Sequence, residues 1–117
     1  MDAPNDPGLI LEFQAENLCV ALPRAAAQTG QRLTLGADAE NDLVFPGAHT
    51  SRQHAFIEVH RDDFFLVDCS TNGTFVQTED RQVQHVHRAR LRLWGAGWIG
   101  LGQPLTPEGA ILFREAI

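Results

Sequence analysis

The clearest strand pattern in the sequence is Ala55-Phe56-Ile57-Glu58-Val59-His60-Arg61-Asp62-Asp63-Phe64-Phe65-Leu66-Val67. In its first six residues, apolar side chains occur at every second position, and Glu58 and His60 are among the residues between them. This is the two-residue period of a strand with one face on a core. Three polar residues then precede a second apolar run, as in the short turn of a β-hairpin. The stretch therefore predicts two antiparallel strands, with Ala55, Ile57 and Val59 facing the core.

Apolar runs of similar length lie on both sides of this hairpin, separated by Gly, Pro, Asn and Asp. Eleven strands are predicted in all, at residues 9–14, 18–22, 32–35, 42–44, 55–60, 64–67, 74–77, 82–86, 89–94, 98–101 and 110–114. So many short strands in one domain indicate an all-β sandwich or barrel, because a single open sheet of this width would leave its faces uncovered. Residues 23–30 could form one helical turn, but a turn this short buries little, and we interpret the segment as a loop.

The length of 117 residues fits a single domain. We expect residues 1–8 to be a flexible segment and residues 9–117 to form the domain. The first residues carry acids and prolines rather than the basic and then apolar pattern of a secretory signal. No apolar run approaches the roughly 20 residues of a membrane span. These features predict a cytoplasmic protein without a membrane role.

The formal net charge of −6 opposes binding to nucleic acid or to an anionic membrane, since both depend on a positive field. All nine cationic residues are Arg, so a charged side chain that contacts phosphate would be a guanidinium. Cys19 and Cys69 lack the paired spacing of a zinc site. We interpret them as reduced thiols, with a disulfide between them left open, and expect no metal or cofactor.

Two polar loops sit between predicted strands, His49-Thr-Ser-Arg-Gln-His54 and Asp68-Cys-Ser-Thr-Asn-Gly-Thr74. Loops at the end of a rigid sandwich can bring side chains together on a ligand. The two loops supply hydroxyls, a guanidinium and a carboxamide, which are the groups that bind a phosphate on an extended peptide.

The chain resembles the forkhead-associated (FHA) family of β-sandwich domains. The resemblance rests on Leu35-Gly36, Asn41-Asp42-Leu43-Val44, Ser51-Arg52-Gln53-His54-Ala55, Leu66-Val67-Asp68, Ser70-Thr71-Asn72-Gly73-Thr74-Phe75-Val76 and Ile99-Gly100-Leu101-Gly102. The combination of Ser-x-x-His with Ser-Thr-Asn-Gly-Thr at this distance is specific to the family. It implies an eleven-stranded sandwich of antiparallel or mixed sheets. It also implies a non-enzymatic signalling module that docks on a phosphothreonine-containing protein or peptide.

The resemblance also assigns roles to individual residues. Ser51 would bind the phosphate directly, and Thr71 would lie beside the phosphate and the threonine methyl group. Asn72 would hold the peptide backbone. Arg52 occupies a place where some members use a basic side chain on the phosphate, and His49 one where others read the peptide beyond the phosphothreonine.

Three further residues would support the site rather than bind the ligand. The resemblance implies that Gly36 and Gly73 form turns and that His54 is a buried residue that fixes the Ser51 loop. One position departs from the family pattern, because the usual Gly-Arg pair is Gly36-Ala37. A hydrogen bond to a charged group contributes about 1.5–3 kcal/mol, so this loss would weaken phosphate binding.

The same departure leaves an alternative open. In this hypothesis the chain is a degenerate FHA domain that binds its own copy or another protein independently of phosphate. Residues 35–113 also resemble the FHA domain appended to some bacterial adenylate or guanylate cyclases, particularly over residues 94–102. The exclusive use of Arg, with abundant Ala and Gly, is typical of a GC-rich bacterial gene.

Several other patterns have simpler interpretations. Ser51, His54 and Asp68 are the residue types of a nucleophilic triad, but no nucleophile elbow accompanies them, and we favour no catalysis. His85 and His87 share a strand face without a third metal ligand, which favours a solvated strand. A last pattern is the alternation of three arginines, for which we favour an exposed face paired with acids of neighbouring strands: Arg88, Arg90 and Arg92.

Overall fold

The structure is a computed structural model that describes residues 6–116 of the chain. It contains eleven strands: β1 (Leu9–Phe13), β2 (Leu18–Leu22), β3 (Leu33–Gly36), β4 (Leu43–Val44), β5 (Ala55–His60), β6 (Asp63–Asp68), β7 (Thr74–Gln77), β8 (Val83–Val86), β9 (Arg90–Leu93), β10 (Ala96–Leu101) and β11 (Ile111–Glu115). They form a six-stranded sheet in the order β2-β1-β11-β10-β7-β8 and a five-stranded sheet in the order β4-β3-β5-β6-β9. Only the β3–β4 pair is parallel among the strand pairs of residues 6–116. The predicted eleven-stranded mixed sandwich is confirmed.

The predicted hairpin is formed by β5 and β6. The two strands pair along their whole length, from Ala55 opposite Asp68 to His60 opposite Asp63. Its turn consists of Arg61 and Asp62, with φ angles of 51° and 68°. Two positive φ values are typical of the two-residue turn whose twist matches that of the flanking strands.

The core lies between the two sheets and takes alternate residues from each. Phe64 on β6 and Phe113 on β11 are both completely buried, one from each sheet. Ala55 and Ile57 are buried and Val59 packs against the core, as the alternation predicted. The apolar period therefore fixed the orientation of the central strands.

The interpretation of residues 23–30 as a loop was wrong in part. Ala26–Thr29 form one turn of α-helix, α1, which ends at Gly30 with a φ angle of 75°. Ala26 is buried in the core. Because one turn is not stable in isolation, tertiary packing must stabilise it, and the local sequence alone did not reveal that packing. A 3-10 turn at Gln14–Glu16 also follows β1 and was not predicted.

The prediction of a flexible segment at residues 1–8 falls mainly on residues 1–5, which lie outside the described residues. The Asp6 carboxylate accepts hydrogen bonds from the Gly8 N–H at 2.9 Å and from the Arg24 guanidinium at 2.9 Å.

Cys19 and Cys69 are both free and exposed, so no disulfide joins them. Nowhere in residues 6–116 is there a helix with the length and apolar character needed to cross a membrane.

Candidate functional site

Strand register brings both polar loops to one end of the sandwich. In the five-stranded sheet, Ala55 at the start of β5 pairs with Leu35 near the end of β3 and with Asp68 at the end of β6. In the six-stranded sheet, Thr74 at the start of β7 pairs with Leu101 at the end of β10. Val86 at the end of β8 also pairs with Thr74, and Arg90 at the start of β9 pairs with Val67. The loops that meet at this end therefore include those at residues 37–42, 45–54, 69–73, 87–89 and 102–110.

The buried side chain of His54 joins the Ser51 loop to the Asn72 loop. Its Nδ1 accepts a hydrogen bond from the Ser51 N–H at 3.0 Å, and its Nε2 lies 2.8 Å from the Gly73 carbonyl oxygen. Since Nδ1 accepts, the proton of the neutral ring is on Nε2, which donates to Gly73. Burial lowers the pKa of His54 and outweighs the Gly73 carbonyl and the Asp68 carboxylate, which both raise it. The neutral imidazole thus clamps the two loops.

The loops also contact each other directly through the predicted binding residues. The Thr71 N–H donates to Ser51 Oγ at 3.2 Å. The Asn72 carboxamide donates from Nδ2 to the His49 carbonyl oxygen at 3.2 Å. Ser51 is partly buried, whereas Thr71 and Asn72 are exposed. Four of the five predicted ligand contacts, those at positions 49, 51, 71 and 72, therefore occupy one continuous surface.

Arg52 is the fifth predicted contact and lies next to Ser51. It is exposed, and its guanidinium forms no salt bridge with any carboxylate in residues 6–116. Its carbonyl oxygen accepts hydrogen bonds from the Asn41 carboxamide at 2.7 Å and from the Asp38 N–H at 3.2 Å. These hydrogen bonds fix the Arg52 backbone, and no carboxylate of residues 6–116 neutralises the charge of its guanidinium.

The loop after β3 packs its backbone directly against the Ser51 loop. A side chain at Gly36 would place its Cβ 2.1 Å from the Arg52 carbonyl oxygen, so only glycine fits. The Ala37 N–H donates to the Ser51 carbonyl oxygen at 3.0 Å. The side chain of residue 37 therefore begins beside Ser51, where the family pattern has arginine and this chain has a methyl group. Arg32 lies over the ring of Phe56, 4.2 Å from its centroid.

Asp68 organises the loop after β6, a role that sequence reasoning missed. Its Oδ1 accepts hydrogen bonds from the hydroxyls of Ser70 and Thr74 at 2.8 and 2.6 Å, and its Oδ2 accepts from the N–H groups of Ser70 and Arg88 at 3.2 and 2.8 Å. Burial raises the pKa of Asp68, but these four donors outweigh burial and hold the pKa below its usual value. The carboxylate therefore stays ionised and fixes the turn that carries Thr71 and Asn72.

The geometry gives no nucleophilic triad. His54 binds the backbone N–H of Ser51, not its hydroxyl, and its other ring nitrogen binds Gly73. Asp68 lies 3.8 Å from His54 Nε2 and is occupied by its four donors. A triad needs the base on the nucleophile's hydroxyl, and that contact is missing here.

His85 also contacts the site, which no sequence signal indicated. Its Nε2 lies 2.9 Å from the Asn72 carbonyl oxygen, and its ring stacks on Phe75 with centroids 4.4 Å apart. Gly73, with a φ angle of 86°, lies beneath this ring, and a Cβ there would come 2.1 Å from His85 Nε2. His87 stacks on His85 at 6.1 Å, and no group of three metal ligands occurs within residues 6–116.

The three alternating arginines do not share one role. Arg90 pairs with Glu58 at 3.4 Å and Arg92 with Asp63 at 3.2 Å, as expected for an exposed face paired with acids. Arg88 departs from this pattern, because it precedes β9 in a turn with a φ angle of 52°. Its Nε donates to the Ser70 carbonyl oxygen at 3.3 Å. Arg88 therefore belongs to the loop cluster and not to the strand face.

The loop after β10 supports the cluster from the other sheet. The Thr50 hydroxyl donates to the Leu101 carbonyl oxygen at 3.2 Å, and the Gly102 N–H donates to the Gly73 carbonyl oxygen at 2.9 Å. Gly102 has a φ angle of 81° and packs against the His49 backbone. The backbone at the end of β10 thus holds both polar loops.

Solved structures with the same fold are FHA domains. The FHA-1 domain of Mycobacterium tuberculosis Rv1747 has a TM-score of 0.67 at 18% identity and covers 96% of this chain and 99% of its own. The N-terminal FHA domain of Saccharomyces cerevisiae Rad53p, solved with a phosphothreonine peptide, has a TM-score of 0.70 at 15% identity over 93% of this chain and 94% of that one. The FHA domain of Chlamydia trachomatis CT664 has a TM-score of 0.66 at 22% identity, over 94% of this chain and 99% of that one.

The sequence gives the same assignment independently of the fold. No curated protein is similar enough to count as a match. The family model described as FHA domain, however, matches residues 33–93, which is just over half of the chain and spans the loops at residues 37–42, 45–54 and 69–73. The chain belongs to the FHA domain family.

Proposed function

We propose that this domain is a non-enzymatic docking module that binds phosphothreonine-containing peptides or proteins. The observation that carries the proposal is the contact between the Ser51 hydroxyl and the Thr71 N–H, with His54 holding both loops in place. Hydroxyl, amide and guanidinium donors fixed in advance bind an oxyanion without the cost of ordering them.

Each residue has a distinct role in this proposal. Ser51, Arg52 and Thr71 hold the phosphate, and the Asn72 carboxamide pairs with the peptide backbone. Asn72 donates only one of its hydrogen bonds to His49, so a second N–H and the side-chain oxygen remain for a peptide. His49 contacts the peptide beyond the phosphothreonine.

Two structural neighbours support a partner of this class. The Rad53p domain was solved with a phosphothreonine peptide. The FhaA FHA domain, with a TM-score of 0.64 and 20% identity over 91% of this chain and 99% of that one, was solved with the intracellular domain of Rv3910. Each of these FHA domains was solved in complex with a peptide or a protein, and this supports the proposal that this chain also binds such a partner.

The methyl group of Ala37 limits the affinity of the site. Because residue 37 is alanine, Arg52 supplies the single guanidinium among the proposed phosphate contacts. A hydrogen bond between charged groups contributes about 1.5–3 kcal/mol, or about 10- to 150-fold in affinity. We therefore expect binding that depends on phosphate but is weak for the family.

The test is a fluorescence anisotropy titration with a degenerate phosphothreonine peptide pool and its unphosphorylated counterpart. We expect the phosphorylated pool alone to bind, and Ser51→Ala to weaken binding by about 10-fold or more, since it removes a donor to a charged group. Thr29→Ala, which removes a hydroxyl on α1, is the matched control and should bind as the wild type does. Equal binding of the two pools would refute the proposal.

The rival function is phosphate-independent association, and Ala37 is the observation that favours it. In that case the partner would be a second copy of this chain or a parent protein such as a nucleotide cyclase. A stable dimer in light scattering that Ser51→Ala leaves unchanged, together with equal binding of both peptide pools, would support this rival.

A further inference from the structure

The β8–β9 turn places a fixed and unneutralised arginine at the edge of the Ser70–Gly73 loop. The Arg88 N–H is held by Asp68 Oδ2 at 2.8 Å, and the side-chain Nε by the Ser70 carbonyl oxygen at 3.3 Å. The Arg88 guanidinium forms no salt bridge with a carboxylate in residues 6–116, in contrast to those of Arg24, Arg90 and Arg92. A guanidinium held at both its backbone and its Nε is already positioned for an anionic ligand.

The backbone of Arg88 is left-handed, with a φ angle of 52°, as are those of Arg61 and Arg81 in other turns. This conformation belongs to the turn and does not by itself indicate a binding role. The side chain of Arg88 is positioned by the hydrogen bond from its Nε to the Ser70 carbonyl oxygen, while Asp68 holds its backbone N–H.

Arg88 lies close to the proposed phosphate contacts. The Ser70 carbonyl that accepts from Arg88 and the Thr71 N–H that donates to Ser51 Oγ belong to the same trans peptide unit. These two contacts and the size of a peptide unit limit the separation of Ser51 Oγ and Arg88 Nε to about 9 Å. An extended peptide advances about 3.3–3.6 Å per residue, so two to three residues cover this distance.

Charge is distributed unevenly around this end of the sandwich. His87 lies beside Arg88, stacked on His85, and neither of its ring nitrogens has a hydrogen-bond partner within residues 6–116. At the opposite edge of the five-stranded sheet from β9, the β3–β4 loop at residues 37–42 carries Asp38 and Glu40. An anionic group is therefore favoured on the Arg88 side and disfavoured on the Asp38 side, despite the net charge of −6.

We propose that Arg88 and His87 form a second oxyanion subsite, which takes a carboxylate or a second phosphate two to three residues from the phosphothreonine. This inference rests on the proposed function of the Ser51 site. It adds a specificity that the Ser51, Thr71 and Asn72 contacts do not supply. The subsite also adds a cation to a site in which Ala37 replaces the usual arginine.

The experiment is a position scan. A neutral phosphothreonine peptide receives a single Asp at each position from four residues before to four residues after the phosphothreonine, and anisotropy gives each affinity. We expect about a fivefold gain at one position two to three residues away on one side, which is the range of an exposed ion pair. We expect a loss of affinity for Asp on the other side. A second phosphothreonine at the favoured position should bind more tightly than Asp, because it carries more charge.

Three variants assign the preference to this turn. Arg88→Gln should reduce the gain to less than twofold, and Arg88→Lys, which keeps the charge, should retain part of it. Arg90→Gln removes an arginine two residues away that is paired with Glu58, and should keep the full gain. Circular dichroism verifies that each variant is folded.

The outcomes separate the two proposals. Binding of the phosphopeptides with a flat Asp scan, or with a preference that Arg88→Gln and Arg88→Lys leave intact, overturns the subsite alone. Failure of every phosphorylated peptide to bind overturns the function of the Ser51 site and the subsite with it.

Discussion

At residue 37 a methyl group stands beside the proposed phosphate contacts. The Ala37 N–H is bound to the Ser51 carbonyl oxygen at 3.0 Å, so a longer side chain at this position starts next to Ser51. Ala37 is partly exposed, which leaves room for a side chain directed toward solvent. The shortage of charge is therefore a property of one side chain and not of the backbone around it.

We expect Ala37→Arg to raise phosphopeptide affinity by about 10-fold or more, because it adds a charge-assisted hydrogen bond to an otherwise complete site. Isothermal titration calorimetry with one phosphothreonine peptide measures the change. Ala39→Arg, at an exposed position of the same loop, adds the same charge and should have a much smaller effect. Equal gains for both variants would indicate a general charge effect and contradict a specific phosphate contact at residue 37.

At the scale of elements, the connection from β6 to β7 is organised by one carboxylate. Each oxygen of Asp68 accepts two hydrogen bonds, one pair from hydroxyls and the other from backbone N–H groups. Asp68→Asn would replace one of these acceptors by an NH2 group and would remove the negative charge to which all four groups donate. We expect the free energy of unfolding to fall by about 2–4 kcal/mol, measured by urea denaturation.

The control for this substitution is Asp62→Asn in the β5–β6 turn. Asp62 is exposed with a φ angle of 68°, a conformation that asparagine adopts readily, so the change should be within about 0.5 kcal/mol. An Asp68→Asn variant as stable as Asp62→Asn would contradict the role given to the carboxylate.

Most of the strands were predictable because they are short apolar or alternating runs bounded by turn residues. The bounds predicted for β2, β5 and β7 are identical to those observed, and those of β1, β3 and β6 differ by one residue at one or both ends. The positions that sequence reasoning missed depend on contacts between distant segments. His85 meets Asn72, and Arg88 turns toward Ser70, because strand pairing places β8 beside the loop before β7. No local period encodes such a contact.

The candidate site residues were predicted on a different basis. Ser51, Thr71 and Asn72 were identified from motif spacing together with the family resemblance, and the structure places them on one surface. The alternation of Arg88 with Arg90 and Arg92 instead suggested a continued strand. A left-handed residue at Arg88, held by Asp68, ends that alternation before β9 begins.

On the scale of the whole molecule, His54 connects the two sheets. It precedes β5 of the five-stranded sheet, and Gly73, which it contacts, precedes β7 of the six-stranded sheet. It also holds the Ser51 N–H through the unprotonated Nδ1. Protonation of His54 would turn Nδ1 from an acceptor into a donor, which would face the Ser51 N–H, also a donor. The order of the Ser51 loop and the stability of the fold therefore both depend on His54 being neutral.

The pKa of His54 is lowered from its ordinary value of 6.5, chiefly by burial. Between the two pKa values the unfolded chain binds more protons at this position than the folded domain does, so acid favours unfolding. The contribution of neutral His54 is fully present above about pH 6.5 and is lost as pH falls from there toward the lower folded pKa.

We therefore expect the free energy of unfolding, measured by urea denaturation from pH 8 to pH 5, to decrease below about pH 6.5. His54→Gln should remove most of this decrease. His60→Gln changes an exposed histidine at the far end of β5 and should keep the decrease. A wild-type slope that His54→Gln leaves unchanged would mean that the clamp between the sheets is not sensitive to this proton.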